Sequence, residues 1–455
     1  MFIEVFIANL WNSMLHAVRR PLTGGLWLGN FVLEQRPTAK KYFLPQQKRP
    51  EHLVLLGKTG SGKSFLLRHI CLQDIRAGRG FLYFDFHGDA IPFLLAAIAE
   101  EQRRGGMNLG DRLVVIEPAS PEYSIGLNPL EILGTQNRFV RIAALSATLK
   151  ERLGLEHFGP QTEEVTRNAL YALSECGLTL LELSALLTNA PFRTQCLKKL
   201  SNPEVLDYFQ ARYEPMSEGM KAAVRNPVLN KFSEFNSDPH FRHIVGQSTS
   251  TLNALDALNS GKIVLVDVNK GLLGKHAATL STLVLAEFKA ALFRRKRRDL
   301  YTIYCDEIQN LLTSDSDIDV LLSEARKFGL SIVSANQYLD QFPKNMRSAV
   351  QAVGTHIAFQ LSNDDSQQVA MMLDGGRAVA ERLRNLPKRH FVIKTGSYPW
   401  SEAKVPDVKA PKASYSELLE RSRRLHARRR SDIEAEIQAR RPVKVATEGV
   451  LDAWE

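Results

Sequence analysis

The chain has 455 residues, 44% hydrophobic and 24% charged, a composition that excludes a mini-protein, a disordered or fibrous chain and a polytopic membrane protein. With 59 Lys and Arg against 49 Asp and Glu, its net charge is +10, which leans toward a polyanionic partner without identifying one. The four cysteines, Cys71, Cys176, Cys196 and Cys305, are scattered without zinc or redox spacing, and free thiols in a reducing compartment are expected.

Residues 1–20 read as one amphipathic helix, with Ile3, Ile7, Leu10, Trp11, Met14 and Val18 at helical spacing. Such a helix suits its own domain, a membrane surface or a partner subunit. These residues do not resemble a secretory signal, since Glu4 stands where a basic n-region is expected and no small-residue cleavage site follows, and no apolar run reaches the ~18–20 residues of a spanning helix. The expected location is cytoplasmic, with residues 1–20 as the route to the inner face of the cell membrane. Gly24, Gly25 and Gly29 then punctuate short apolar runs, which suggests a small β element before residue 50.

From His52 onward, short apolar runs alternate with helical patterns. Leu53 to Leu56, Phe81 to Phe84 and Leu113 to Ile116 read as buried strands, and the stretches after Lys63 and Asp89 as helices. Between Asn137 and Leu252 the strand signals stop, and Leu- and Ala-rich helices are separated by markers such as His157-Phe158-Gly159-Pro160. Strands resume at Lys262 to Val268, Tyr301 to Cys305, Leu330 to Ser334, His356 to Leu361 and His390 to Lys394. The order predicts an α/β fold, a mostly parallel sheet flanked by helices and interrupted by an all-α subdomain. The expected divisions are 1–50, the α/β core 51–136 with 253–408, the insertion 137–252, and a basic tail 409–455.

Gly57-Lys58-Thr59-Gly60-Ser61-Gly62-Lys63-Ser64 matches G-x-x-x-x-G-K-[ST] between a predicted strand and a predicted helix. In this pattern backbone N–H groups and a helix N-terminus face phosphate oxygens, Lys63 reaches the β- and γ-phosphates, and Ser64 ligates Mg²⁺. Gly57 through Ser64, the following Phe65, and Asp85 are the expected nucleotide-binding residues, with ATP as substrate and Mg²⁺ as cofactor. The apolar run Leu300 to Cys305 ends in Asp306-Glu307, the form of a Walker B strand. Asp306 is expected to join Ser64 at the metal, and Glu307 to polarise the attacking water. Gln337, after the strand Leu330 to Ser334, is placed to sense the γ-phosphate. Asp85 and His87 end another strand, where a ligand crevice is expected, and Asp89 equally suits a helix N-cap.

Three basic clusters remain. Arg294 to Arg298 suits a helix C-terminus. Lys270 and Lys275 sit in a glycine-containing loop suited to a phosphate backbone. The arginines between 421 and 430 fit nucleic acid, acidic lipid or a solvated helix face.

Gly57 to Ser64, Phe84-Asp85-Phe86-His87-Gly88-Asp89, Gly126-Leu127-Asn128-Pro129-Leu130, Asp306-Glu307 and Ser323 to Leu330 running on to Gln337 occur in an order that resembles the type IV secretion coupling proteins. These are conjugative DNA-transfer ATPases of the HerA/FtsK superfamily. The resemblance spans roughly residues 22–400. It implies a RecA-like motor, a homo-oligomeric ring of six, single- or double-stranded DNA in the pore, and relaxase or secretion-channel partners. The chain departs from the pattern in showing only the amphipathic helix where transmembrane helices are usual, and Gln360 where many relatives have arginine. Arg326 is therefore the residue assigned to a neighbouring subunit's γ-phosphate. A HerA-like motor for DNA processing or defence, and a nucleotide-dependent assembly protein without motor activity, are the alternatives. The intact Glu307 speaks against the latter, and an ABC-type transporter ATPase is disfavoured by the absence of an LSGGQ-like segment.

Overall fold

The computed structural model describes residues 24–105, 108–155, 159–311, 318–342 and 346–441. The expected helix at 1–20 and the turn marker at His157-Phe158 lie outside these residues. The strands are β1 (Leu26–Leu33), β2 (Arg36–Leu44), β3 (Leu53–Leu56), β4 (Phe81–Asp85), β5 (Leu113–Ile116), β6 (Tyr123–Ser124), β7 (Ile263–Asp267), β8 (Tyr301–Asp306), β9 (Leu330–Asn336), β10 (Thr355–Ala358), β11 (His390–Thr395), β12 (Ser401–Lys404) and β13 (Arg428–Arg429).

Two compact units divide the chain: the part up to Ala119 with Asn253–His426, and Ser120–Leu252 with the part from Ala427 onward. The first unit holds an 11-stranded sheet in the order β2-β1-β12-β11-β10-β3-β9-β8-β4-β7-β5. From β10 to β5 every pairing is parallel, and from β11 to β2 every pairing is antiparallel. Every residue of β3, β4, β5 and β9 is buried, as continuous apolar runs in a sheet covered on both faces require. This is the α/β, mostly parallel sheet that the alternating pattern predicts.

The glycine-rich stretch before residue 50 does form β structure. It joins the main sheet as the β1–β2 hairpin paired to β12, rather than standing apart. The strand expected over His356 to Leu361 ends at Ala358. Beyond it the chain follows the P-loop: Phe359 donates its N–H to Leu56 O, and Gln360 O accepts the Lys58 N–H at 2.8 Å.

A buried ionic cluster locks the P-loop helix to the sheet. Arg49, fully buried, makes two 2.7 Å bonds to Asp74 of the helix Lys63–Arg76 and a 3.0 Å bond to Thr302 of β8. The hydroxyl of Tyr304, also on β8, donates to the same carboxylate at 2.5 Å. Burial alone would raise the Asp74 pKa, but Arg49 and Tyr304 outweigh it and hold the carboxyl below its usual range.

The second unit contains helices including Arg138–Arg152, Pro160–Glu175 and Glu218–Ser237, plus the two-residue pairing of β6 with β13. This differs from an all-α segment at 137–252 in starting at Ser120, carrying a strand pair and recruiting the C-terminal chain. The C-terminal arginines do not form a separate basic tail either. On the helix Ser416–His426, Arg423 pairs with Glu117 at 3.1 Å, and Ser422 accepts the Val115 N–H. In the second unit, Arg428 pairs with Glu436 at 2.5 Å and Arg440 with Glu182 at 3.1 Å. Short-range charge runs thus resolve into ion pairs, two of these three with carboxylates distant in sequence.

Candidate nucleotide site

Ligand crevices of parallel α/β sheets lie beyond the carboxyl ends of the strands, where loops are free to differ. Gly57 leaves β3 at that edge, Asp306 and Glu307 end β8, Gln337 follows β9, and Lys270 follows β7. The loop from Gly57 to Gly62 turns sharply before the helix Lys63–Arg76 begins. Gly62 has φ +125°, and a Cβ there would stand 2.9 Å from Arg389 Cα. Only glycine meets both demands. The Arg389 N–H donates to Ser61 O at 2.7 Å, while its guanidinium stacks 4.1 Å from the Phe65 ring centre. Sequence reading gave no sign of Arg389, because no local motif marks a residue 327 positions from the loop it braces.

Lys63 is buried, and its ammonium donates to Gly57 O at 2.5 Å and Lys58 O at 3.2 Å. Burial lowers its pKa, and the nearby Asp306 and Glu307 act in the opposite direction. Ser64 Oγ donates to Asp306 Oδ2 at 3.0 Å, so two residues 242 positions apart meet as expected. Burial raises the Asp306 carboxyl, and the Ser64 bond and the Lys63 charge offset part of that. Ser61 Oγ is buried in the same loop with no hydrogen-bond partner.

A hydroxyl and a carboxylate are a hard oxygen donor pair. They fit Mg²⁺, which keeps several waters and takes few protein ligands beside substrate phosphates. No group of three or more acidic, His or Cys side chains able to hold a metal occurs among the described residues.

Glu307 adopts a left-handed backbone, φ 68° and ψ 62°, rare for a residue with a Cβ. Its N–H donates to Ala335 O at 2.7 Å, which fixes the turn against β9. The carboxylate accepts from three donors, Lys270 at 3.1 Å and Asn310 at 3.2 Å on Oε2 and Gln337 at 3.4 Å on Oε1, and the His87 ring lies 3.7 Å from Oε1. Burial would raise its pKa, but the Lys270 and Asn310 bonds prevail and hold it below the usual carboxylate range. Gln337 is therefore brought to Glu307 as well as to the crevice, and its own N–H is held by Gln341 Oε1 at 2.7 Å. Asn310 was not anticipated, since only the tight turn after Glu307 carries it back.

One expectation needs correcting. Asp85 is not a nucleotide ligand: Oδ1 accepts the N–H groups of His87 and Gly88, and Oδ2 those of Ala90 and Ile91 at 2.9 Å each. Its buried carboxylate is consumed in anchoring the start of the helix Ala90–Arg104. The basic run 294–298 follows the end of the helix His276–Leu292 as expected, and within it Arg295 donates to the carbonyls of Phe328, Leu258 and Asp299.

Arg326 is not at this chain's own crevice. It precedes β9, at the amino ends of the strands, where it pairs with Glu51 at 3.1 Å and is 62% exposed. Lys275 stands immediately before the helix His276–Leu292 and does not join the cluster around Glu307. Gln360 bonds to Arg384 O at 3.0 Å.

Residues 49–287, more than half of the chain, match the family described as the central domain of the helicase HerA, and the chain belongs to that family. The fold is similar to that of the bacterial conjugative coupling protein TrwB lacking its first 70 residues, at 15% identity and TM-score 0.61 over 89% of this chain and 95% of that one. It is also similar to VirB4 of Thermoanaerobacter pseudethanolicus, at 15% identity and TM-score 0.56 over 85% and 98% of the two chains. A TrwB structure in complex with ADP and Mg²⁺ matches at 16% identity and TM-score 0.55, over 89% and 93%. No curated protein sequence matches. Among the described residues no helix is long and apolar enough to cross a membrane.

Proposed function

We propose that this chain is an ATP-driven DNA translocase of the coupling-protein class, working as a ring of six subunits. The observation that carries the reading is the meeting, at one sheet edge, of Lys63, Ser64 with Asp306, and Glu307 with Gln337. That set divides the work of phosphoryl transfer to water. Lys63 exchanges the carbonyls of Gly57 and Lys58 for phosphate oxygens. Ser64 and Asp306 hold Mg²⁺, which neutralises developing phosphate charge when bound. Glu307 orients and polarises the attacking water, and Gln337, bonded to Glu307, reads its state and passes it to the segment Tyr338 to Gln341. Arg326, remote from its own crevice and exposed, acts on the γ-phosphate bound by a neighbouring subunit. The net charge of +10 and the likeness to TrwB support DNA as the polymer and conjugative transfer as the setting, with a relaxase and a secretion channel as partners.

The family match favours a second client, a HerA-like motor in DNA processing or defence, with the same chemistry. Relaxase and channel genes beside this one would support transfer, and a nuclease gene would support processing. The motor itself is tested by ATP turnover with and without single- and double-stranded DNA across a salt series. The expected result is stimulation that fades as salt rises, because phosphate contacts release counterions. Turnover indifferent to DNA at every salt concentration would refute it.

A further inference from the structure

Lys270 meets a carboxylate that the hydrolysis step needs. Its ammonium, 45% exposed, lies 3.1 Å from Oε2 of Glu307, itself only 12% exposed. The other donors to Glu307 are built into the crevice: Asn310 is three residues along its own turn, and Gln337 follows the adjacent strand β9. Lys270 alone among them is a full-time cation, and it opens the short helix Lys270–Leu273 that follows β7. Its backbone is tied down, with the Lys270 N–H on Phe86 O at 3.2 Å and the ammonium 5.7 Å from the Phe86 ring centre. Beyond it come Gly271, the 59% exposed Leu272, and Gly274 at φ +52°. The anchor is therefore firm at the backbone while the ammonium is open to solvent.

A carboxylate has about four lone-pair sites, and a water must occupy one of them to be polarised. On Glu307, Lys270 and Asn310 share Oε2, and Gln337 and His87 approach Oε1. We propose that Lys270 restrains Glu307 and releases it when a DNA backbone phosphate takes the ammonium, so that one side chain couples DNA contact to ATP hydrolysis. The proposal rests on the DNA-motor reading and deepens it by naming the residue through which the polymer is sensed. A half-exposed ion pair is weak, so a single phosphate contact suffices to displace it. Lys270 is a positioning residue in this scheme, because it touches Glu307 rather than the reacting atoms.

The test uses the full chain and compares wild type, Lys270→Ala and Lys270→Arg for ATP turnover with and without a DNA duplex, with nucleotide affinity measured in parallel. Lys270→Ala is expected to raise DNA-free turnover by up to about fivefold, the equivalent of one exposed ion pair. Added DNA then changes little, nucleotide affinity is unaltered, and Lys270→Arg restores the restraint. A DNA-free rate in Lys270→Ala no higher than wild type overturns the proposal, as does a raised rate with DNA stimulation left intact. If wild type ignores DNA, the motor reading fails and DNA as the releasing partner is overturned. The DNA-free comparison still shows separately whether Lys270 restrains Glu307.

Discussion

Replacing Asp74 by alanine removes one half of a pair that is 0% exposed on both sides and leaves the Arg49 guanidinium buried without its countercharge. The two 2.7 Å bonds to Asp74 are lost at once, and Tyr304 loses the acceptor of its hydroxyl. Breaking a buried pair by removing one partner costs about 3–5 kcal/mol. That is a large share of the roughly 5–15 kcal/mol that holds a domain together. In urea, where small proteins show slopes of about 1–3 kcal/mol per molar, the unfolding midpoint should fall by more than about 1 M. The cluster joins the P-loop helix to the Walker B strand, so nucleotide binding should be lost over the same urea range. Combining Arg49→Met with Asp74→Leu should recover much of the loss, since an apolar pair of similar volume carries no stranded charge. A midpoint for Asp74→Ala within about 0.3 M of wild type would refute the reasoning.

Glu307→Gln keeps the size of the side chain and loses its charge. It should bind ATP at wild-type affinity and hydrolyse it about 10²–10⁴ times more slowly, as loss of a general base predicts, with equal hydrolysis in steady-state assays counting against the role. Arg326→Ala should lower DNA-stimulated kcat by about 10³–10⁵ if it reaches a neighbour's γ-phosphate. Mixing it with Lys63→Ala subunits should restore some turnover, and full activity of Arg326→Ala alone would remove the assignment. His52 is buried and held neutral, its pKa pulled down to about 4 chiefly by burial, with Nε2 on Leu322 O at 2.8 Å and Nδ1 accepting the Ile332 N–H at 3.0 Å. The unfolded chain takes up this proton near pH 6.5 and the fold only near 4. The contribution of His52 is therefore complete above about pH 6.5 and falls away by roughly 3 kcal/mol as pH drops to 4. His52→Gln should flatten that acid limb in thermal unfolding, and an unchanged slope would count against it.

The parallel half of the sheet was legible because its strands are buried on both faces and read as unbroken apolar runs. The Walker A loop was legible because its chemistry is packed into eight consecutive residues. The antiparallel extension was less so. In β12, Ser401 to Lys404 looks polar, yet Glu402 is buried by two bonds from Arg382 and one to His390, a compensation that no local pattern shows. Asp85 was misread for a related reason. A carboxylate at a strand end serves a ligand or a helix start equally well, and only the four N–H groups aimed at it decide. Lys270 was read as a DNA contact on its loop character, and its approach to Glu307 depends on β7 and β8 flanking β4, an order that sequence does not state.

The central claim is that hydrolysis at this site moves DNA, and displacement of a short triplex-forming strand from a DNA duplex tests it most directly. The account predicts displacement that requires ATP and Mg²⁺, stops with a non-hydrolysable analogue, and is abolished by Glu307→Gln while that variant still binds both ATP and DNA. Robust DNA-stimulated hydrolysis by wild type with no displacement of the third strand from either end of the duplex would contradict it.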